Sequence, residues 1–267
     1  MRTSNIIALG LITLGLAVPV AAQGVAQAEP GWKLVWSDEF DGPAIDATTW
    51  TYDLGSGGWG NGEAEAYTAR PENARIEDGC LVIEARREKY QGSYYTSARL
   101  KTQGLKTFGY GRVEARMKVP AGQGLWPAFW MLGPDIASKG WPECGEIDIM
   151  EYIGKDPQTV YGTAHGPGYS GSGGLGGRLR LDSGLADDFH VFAIERDADH
   201  IRWYYDGTQY FALSRGDQGA NRWVFDKDFF VVLNLAVGGG WPGPVALDTV
   251  FPARLLVDYV RVYEKAE

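Results

Sequence analysis

Between residues 33 and 263 the chain is cut by Gly, Pro, Asn and Asp into short stretches in which apolar and polar side chains alternate, and little of it keeps the 3.6-residue period of a long helix. In Val113, Ala115, Met117 and Val119 the apolar members share one face, while Arg112, Glu114, Arg116 and Lys118 share the other. That is the pattern of a half-buried antiparallel strand. Strand signals occupy residues 33–36, 74–76, 80–85, 111–119, 128–132, 146–152, 189–195, 200–205, 229–235 and 256–263. The 37 Gly and 13 Pro, beside 10 Trp, 14 Tyr and 10 Phe, favour strands, tight turns and aromatic surface over helix. An all-β fold follows: two packed antiparallel sheets, with a barrel as the alternative. No linker or repeat divides residues 29–267, so one domain is expected. The glycine-rich segments 55–62, 169–177 and 238–243 read as surface loops bordering a site.

Charge and ligand inventory narrow the function. With 25 Lys and Arg against 34 Asp and Glu, the formal charge of -9 opposes nucleic acids and anionic membranes as partners. Three histidines and two cysteines leave few soft ligands for zinc or iron, while an oxygen-ligated cation stays open. Cys80 and Cys144 allow one disulfide or two separate buried thiols. An apolar run over residues 6–16 follows Arg2 and precedes Pro19 and small residues, the plan of a secretory signal peptide over residues 1–28, with cleavage after Ala22 or Ala28. A retained anchor is the alternative. The expected mature chain is secreted, extracellular or periplasmic, and no later stretch is apolar enough to span a bilayer.

The segment Gly145-Glu146-Ile147-Asp148-Ile149-Met150-Glu151-Tyr152 sets three carboxylates among strong strand formers. On a regular strand Glu146 and Asp148 share a face, but Glu151, five positions on, points the other way. A β-bulge around Ile149 and Met150 would return Glu151 to the side of the other two. Carboxylates so placed raise one another's proton affinity, which suits the acid and nucleophile of glycoside hydrolysis. The same three acids also suit an oxygen-seeking cation such as calcium, or a row of solvated strand charges. Trp59, Trp126, Trp130 and Trp241 sit beside glycines or prolines, where flat rings either meet sugar C–H faces or simply pack.

The stretch Trp141-Pro142-Glu143-Cys144-Gly145-Glu146-Ile147-Asp148-Ile149-Met150-Glu151 resembles the active-site strand of glycoside hydrolase family 16, in its bulged laminarinase-like branch. Similarity runs from Trp36-Ser37-Asp38-Glu39-Phe40 through Trp126-Pro127-Ala128-Phe129-Trp130-Met131 to Val257-Asp258-Tyr259-Val260-Arg261-Val262-Tyr263. The resemblance implies a β-jelly-roll sandwich with a carbohydrate cleft across its concave sheet. It implies that Glu146 is the nucleophile, Glu151 the general acid/base and Asp148 the assisting carboxylate of a retaining reaction. Trp126, Trp130, Trp59 and Asn61 would line the cleft, with Glu63, Arg99 and His165 beside them, and Trp241 joins these as a substrate-binding candidate. The expected activity is endo-hydrolysis of β-1,3-glucan by a monomer, with mixed-linkage β-1,3-1,4-glucan, agar-type galactans and transglycosylation as alternatives within the class. A noncatalytic carbohydrate-binding module is the reading from another class. No cofactor is expected for catalysis. The resemblance also implies a structural calcium on the convex side, held by main-chain oxygens near Glu39 and Gly79 and by Asp258.

Overall fold

Turn residues and β-branched or aromatic runs assemble into strands throughout the computed structural model, which describes residues 31–266. The expected signal segment, residues 1–28, lies outside them. The first strands are β1 (Trp32–Asp38), β2 (Thr51–Tyr52), β3 (Glu65–Tyr67), β4 (Ala74–Glu77), β5 (Cys80–Tyr90) and β6 (Ser93–Ser97). There follow β7 (Arg99–Lys101), β8 (Gly111–Lys118), β9 (Leu125–Leu132), β10 (Glu146–Glu151), β11 (Thr159–His165) and β12 (Leu175–Arg180). The last are β13 (His190–Arg196), β14 (His200–Tyr205), β15 (Thr208–Ser214), β16 (Phe230–Val237) and β17 (Ala253–Lys265). A single turn of helix, α1 (Ile136–Lys139), lies between β9 and β10.

Two sheets form. One runs β15-β14-β13-β8-β17-β5-β6-β3, with β1 added on β17 and β4 on β5; the other runs β12-β11-β10-β9-β16-β7-β2. The architecture is therefore the expected sandwich rather than a barrel. Pairing is antiparallel except between β3 and β6, where Glu65, Ala66 and Tyr67 run parallel to Tyr95, Thr96 and Ser97. This departs from two purely antiparallel sheets, because the chain crosses over after β3 and reaches β6 only by way of the β5–β6 hairpin. Between the sheets Val113, Ala115 and Met117 of β8 and Val257 and Val260 of β17 meet Ile147, Ile149 and Met150 of β10 and Val231, Leu233 and Leu235 of β16. Burial of this apolar surface is the main favourable contribution to folding. Cys80 and Cys144 are both free thiols.

Two expectations need correction. The polar face of β8 is not left in water: Arg112 and Glu114 are buried, with Arg112 Nε 2.8 Å from Glu114 Oε2 and Nη1 3.1 Å from Glu195 Oε1. Tyr263 donates its hydroxyl to Glu114 across the sheet at 3.2 Å. The central position of β8 between β13 and β17 lets neighbouring side chains cover and neutralise that face. The segment 169–177, read as a loop, already enters strand β12 at Leu175. Its glycines serve close approach rather than flexibility, since a Cβ on Gly177 would stand 2.4 Å from Cγ of Phe211.

A further irregularity lies in β10. Against β9 the register passes from Asp148↔Trp130 to Met150↔Phe129, which leaves Ile149 as the extra residue, and against β11 it passes from Asp148↔Thr163 to Glu151↔Tyr161. A bulge removes ladder partners from nearby backbone groups. Here the Asp148 carbonyl accepts a hydrogen bond of 2.8 Å from the buried Trp203 indole of β14, in the opposite sheet. Trp203→Phe keeps most of the packing and deletes that donor. It is expected to lower stability by about 1–3 kcal/mol, read by urea unfolding; a midpoint equal to wild type would show that the indole does not support the bulge.

Candidate active site

The bulge determines which side chains leave the core. Gly145, with φ at +72°, turns the chain into β10, and a Cβ there would lie 3.0 Å from Val224 and 3.2 Å from Phe229. Beyond it Ile147, Ile149 and Met150 enter the core at 0–1% exposure, and Glu146, Asp148 and Glu151 share the outer face of the seven-stranded sheet. Two consecutive apolar residues pointing inward are what reverse the parity. The acids are not a solvated row, since Asp148 and Glu151 are buried and Glu146 is half-buried.

Their contacts differ. His165 lies opposite Glu146 in the β10–β11 register. Its Nε2 stands 3.1 Å from Asp148 Oδ2 and 3.7 Å from Glu146 Oε1. Trp126 donates its indole N–H to Glu151 Oε1 at 3.1 Å. The side chain of Trp141 hydrogen-bonds Glu146.

Burial pushes the Glu146 carboxyl up to about 8, with the charge of Asp148 adding to the rise, while His165, Arg99 and the Trp141 hydrogen bond oppose it. Burial likewise pushes Asp148 up to about 8. Glu151 is raised well above the ordinary carboxylate range by burial and by both neighbouring acids, against the pull of His165 and Trp126. Three acids in one low-dielectric site cannot all ionise together. Arg99 pulls Glu146 toward the anion, whereas Glu151 is pressed by two like charges; a proton therefore settles first on Glu151. That division is the one an acid and a nucleophile need.

The surrounding residues form one connected surface. Trp241 meets Trp126 edge-on at 5.5 Å between ring centroids and Tyr161 at 5.0 Å. Trp130, paired with Asp148 in register, donates its indole N–H to Asn234 Oδ1 at 2.8 Å. Asn234 in turn donates to the Tyr67 hydroxyl at 3.2 Å, and Tyr67 donates to Glu63 at 3.1 Å. Asn61 donates to the other Glu63 oxygen at 3.0 Å. The Arg99 guanidinium lies 4.6 Å from the Trp130 ring and 5.4 Å from that of Trp59, and pairs with Asp53 at 2.9 Å. Trp126, Trp130, Arg99 and His165 thus act on or adjoin the three acids, while Trp241 follows through Trp126, Trp59 through Arg99, and Glu63 and Asn61 through the row from Trp130. Sequence reasoning did not single out Asn234, Tyr67, Trp141 or Tyr161. A polar Asn234 inside the apolar run 229–235, and a Trp141 at the head of the acidic motif, were the available signals.

Two places bear on metals. Donor atoms of Glu146, Asp148 and His165 lie within 4.8 Å of one another, the one such group of His, Cys, Asp and Glu among the described residues. Calcium takes six to eight oxygens, and a pair of carboxylates with an imidazole is a poor match for it. On the other sheet the Glu39 carboxylate is committed to Arg261, at 3.0 and 2.7 Å. Gly79 turns β4 into β5 with φ at +74°, and Asp258 sits at an irregularity of β17 with Oδ2 2.8 Å from Arg116. Main-chain oxygens of Glu39 and Gly79 and the second Asp258 oxygen are hard donors of the kind calcium accepts, whereas the Glu39 side chain is already in use.

Comparison with known proteins places this geometry. The model for "Glycosyl hydrolases family 16" matches residues 61–259. A protein of Rhodothermus marinus described as a beta-glucanase is 47% identical over 251 residues, covering 89% of this chain and 87% of its own. The catalytic domain of an endo-1,3-beta-glucanase (laminarinase) from Thermotoga petrophila RKU-1 superposes with a TM-score of 0.84 at 50% identity, covering 88% of this chain and 99% of that domain. A non-specific endo-beta-1,3(4)-glucanase of family GH16, 40% identical with a TM-score of 0.82 over 90% of this chain and 97% of its own, presents a 1,3-beta-D-cellobiosyl-glucose at its active site.

The buried acids also set a pH signature. Asp148 rises from an ordinary 3.8 to about 8, so the folded state holds its proton more tightly than the unfolded chain does. The neutral carboxyl suits the folded site, and stability falls as pH rises from about 4 to about 8. Asp148→Asn removes that fall. In calorimetric melts its Tm is expected to match wild type near pH 4 and to exceed it increasingly toward pH 8, by roughly 2–4 °C for each kcal/mol recovered. A difference independent of pH would overturn this account.

Proposed function

The chain belongs to glycosyl hydrolase family 16, and from that membership and the site's geometry we propose a retaining endo-β-1,3-glucanase that acts on laminarin-type glucans across the open face of its seven-stranded sheet. The carrying observation is the bulge at Ile149, which sets Glu146 and Glu151 on one face with Asp148 between them. The β-1,3 preference is supported by the laminarinase and β-glucanase likenesses at 50% and 47% identity. Hydrolysis of mixed-linkage glucan is the second reading, favoured by the likeness to a non-specific β-1,3(4) enzyme.

In this reading Glu146 in its ionised form attacks the anomeric carbon, and a carbon–oxygen bond forms as the glycosidic bond breaks. Glu151, protonated in the free site, gives its proton to the departing oxygen. Once the leaving chain has gone, ionised Glu151 takes a proton from water, whose oxygen attacks the same carbon and displaces Glu146. Two displacements at one carbon restore the original configuration. Asp148, with His165 at 3.1 Å, regulates how readily Glu146 surrenders and regains charge. Arg99 and His165 favour the ionised form of Glu146 against burial and the charge of Asp148, which oppose it.

Trp126, Trp130, Trp59 and Trp241 offer rings to the apolar faces of successive sugars, and Asn61, Glu63 and Arg99 offer hydrogen bonds to their hydroxyls. Catalysis draws on no cofactor in this scheme. A calcium held by the Glu39 and Gly79 main-chain oxygens and Asp258 would act on stability alone, tying β1 and the β4–β5 turn to β17. Export is supported by the composition of residues 1–28, and a monomer suffices for the chemistry. Among the described residues no helix is long and apolar enough to cross a membrane.

Laminarin, curdlan, mixed-linkage glucan and agarose, digested side by side, test the assignment by product length and by proton NMR of the first-formed anomer. Short β-anomeric products from laminarin are expected; inverted products, or agarose cleavage with laminarin intact, would overturn it. Glu151→Gln should lower kcat by roughly 10²–10⁴ on glucan, with recovery on aryl glycosides bearing a good leaving group, and Glu146→Gln should abolish turnover on both. A chelator is expected to lower Tm and leave the initial rate on laminarin unchanged; an unchanged Tm would remove the calcium proposal.

A further inference from the structure

We infer that Glu65, buried behind the site and outside its reacting groups, is a positioning residue that holds Glu63 and Asn61 toward the substrate by donating a hydrogen bond, as a neutral acid, to the Glu63 carboxylate. The inference deepens the glucanase reading, on which its kinetic consequences rest.

Glu65 begins the edge strand β3 and is 0% exposed. Its Oε2 accepts the main-chain N–H of Val237, the last residue of β16, at 2.7 Å. Oε1 meets no donor among the described residues. The side chain that hydrogen-bonds Glu65 is another carboxyl, that of Glu63. Two ionised carboxylates offer only acceptors, so this bond exists only when one of them carries a proton.

The surroundings decide which one. Glu63 is half-buried and accepts from Asn61 and Tyr67, partners that suit an anion. Glu65 is fully enclosed and forms no ion pair among the described residues, and the nearest guanidinium along this network, Arg99, is engaged with Asp53. Burial and the charge of Glu63 both raise the Glu65 carboxyl well above its ordinary range. The pair thus shares one negative charge, carried by Glu63 at the surface, and one proton, carried by Glu65 beneath it.

The placement makes this a device for positioning. Glu65 fastens to the end of β16 through Val237, and Ala64 repeats the tie by donating its N–H to the Val237 carbonyl at 2.8 Å. Gly240 donates to the Asn61 carbonyl at 2.8 Å, so the loop before β3 and the loop after β16, which carries Trp241, are fixed to each other here. From Glu63 the hydrogen bonds continue through Tyr67 and Asn234 to the Trp130 indole. Glu63 and Tyr67 are accordingly the titratable groups that interact with Glu65, and Arg99 acts on Tyr67. None of them makes or breaks the glycosidic bond, so the effect belongs to sugar binding.

The test compares wild type, Glu65→Gln and Glu65→Ala on laminari-oligosaccharides of increasing length. The glutamine amide donates as the neutral acid does, and both kinetic constants are expected to stay within about twofold of wild type. Alanine is expected to raise KM about tenfold on the longer oligosaccharides, with kcat nearly unchanged. Infrared spectra supply the second measurement: the carboxylic-acid C=O band of wild type at pH 6 should lose intensity in Glu65→Gln. A Gln variant as impaired as Ala, an Ala variant with unchanged KM, or an infrared band unaltered by Glu65→Gln would each overturn the inference. Should the Ala variant fail to fold, the Gln kinetics and the infrared comparison decide. Should wild type leave glucans intact, the activity reading fails, while the infrared comparison still reports whether Glu65 holds the proton.

Discussion

The structure turns on one extra residue in strand β10. Ile149 interrupts the ladder, and because side chains alternate along a strand, a single insertion reverses the face of everything beyond it. The core accepts the reversal because Ile149 and Met150 both have apolar space to fill. The freed Asp148 carbonyl is satisfied by Trp203 from the opposite sheet. Core packing and site chemistry are thus the same event seen from two sides of one strand.

Bringing three carboxyls together in a buried place is unfavourable, and the neighbouring groups show how the tension is held. His165 stands by Asp148 and Glu146, Arg99 acts on Glu146, and the indoles of Trp126 and Trp141 serve Glu151 and Glu146. Unequal support leaves one acid prone to keep its proton and another prone to lose it. The rest of the sandwich supplies rigidity. Arg196, buried in β13, donates to the carbonyls of Phe108, Gly109, Phe225 and Lys227, reinforcing two loops that the Phe108–Phe229 bridge also joins.

Much of this was legible in the residues. The ten strand signals all fall on observed strands, because each combines an apolar face with turn formers at its ends. The bulge was legible too, since Ile149-Met150 between acids admits only that irregularity if the acids are to converge. Strands β2, β3, β6, β7, β11, β12 and β15 were not. Glu65–Tyr67 and Arg99–Lys101 are three residues long, too short for a period, and Leu175–Arg180 carries two glycines near its start, of which Gly176 lets Gly162 and Thr163 approach and Gly177 lets Phe211 approach. The buried charges of β8 escaped for a related reason: alternation indicates which side chains share a face, not whether another strand's side chains will cover it.

Site residues divide along the same line. Glu146, Asp148 and Glu151 lie within six positions, so local stereochemistry was enough to group them. The neighbours Glu63 and Tyr67 are far in the chain from Trp130 and Asn234, and only the packing of β3, β9 and β16 makes all four consecutive members of one hydrogen-bonded row. The amino-acid order alone determined the sheet content, the acidic strand and its irregularity, because these depend on side-chain period and on neighbours a few bonds away. Tertiary structure decided the proton distribution among the acids and the partners of Glu65. Desolvation and Coulomb forces act through space, and the groups that exert them meet only when the strands are in register.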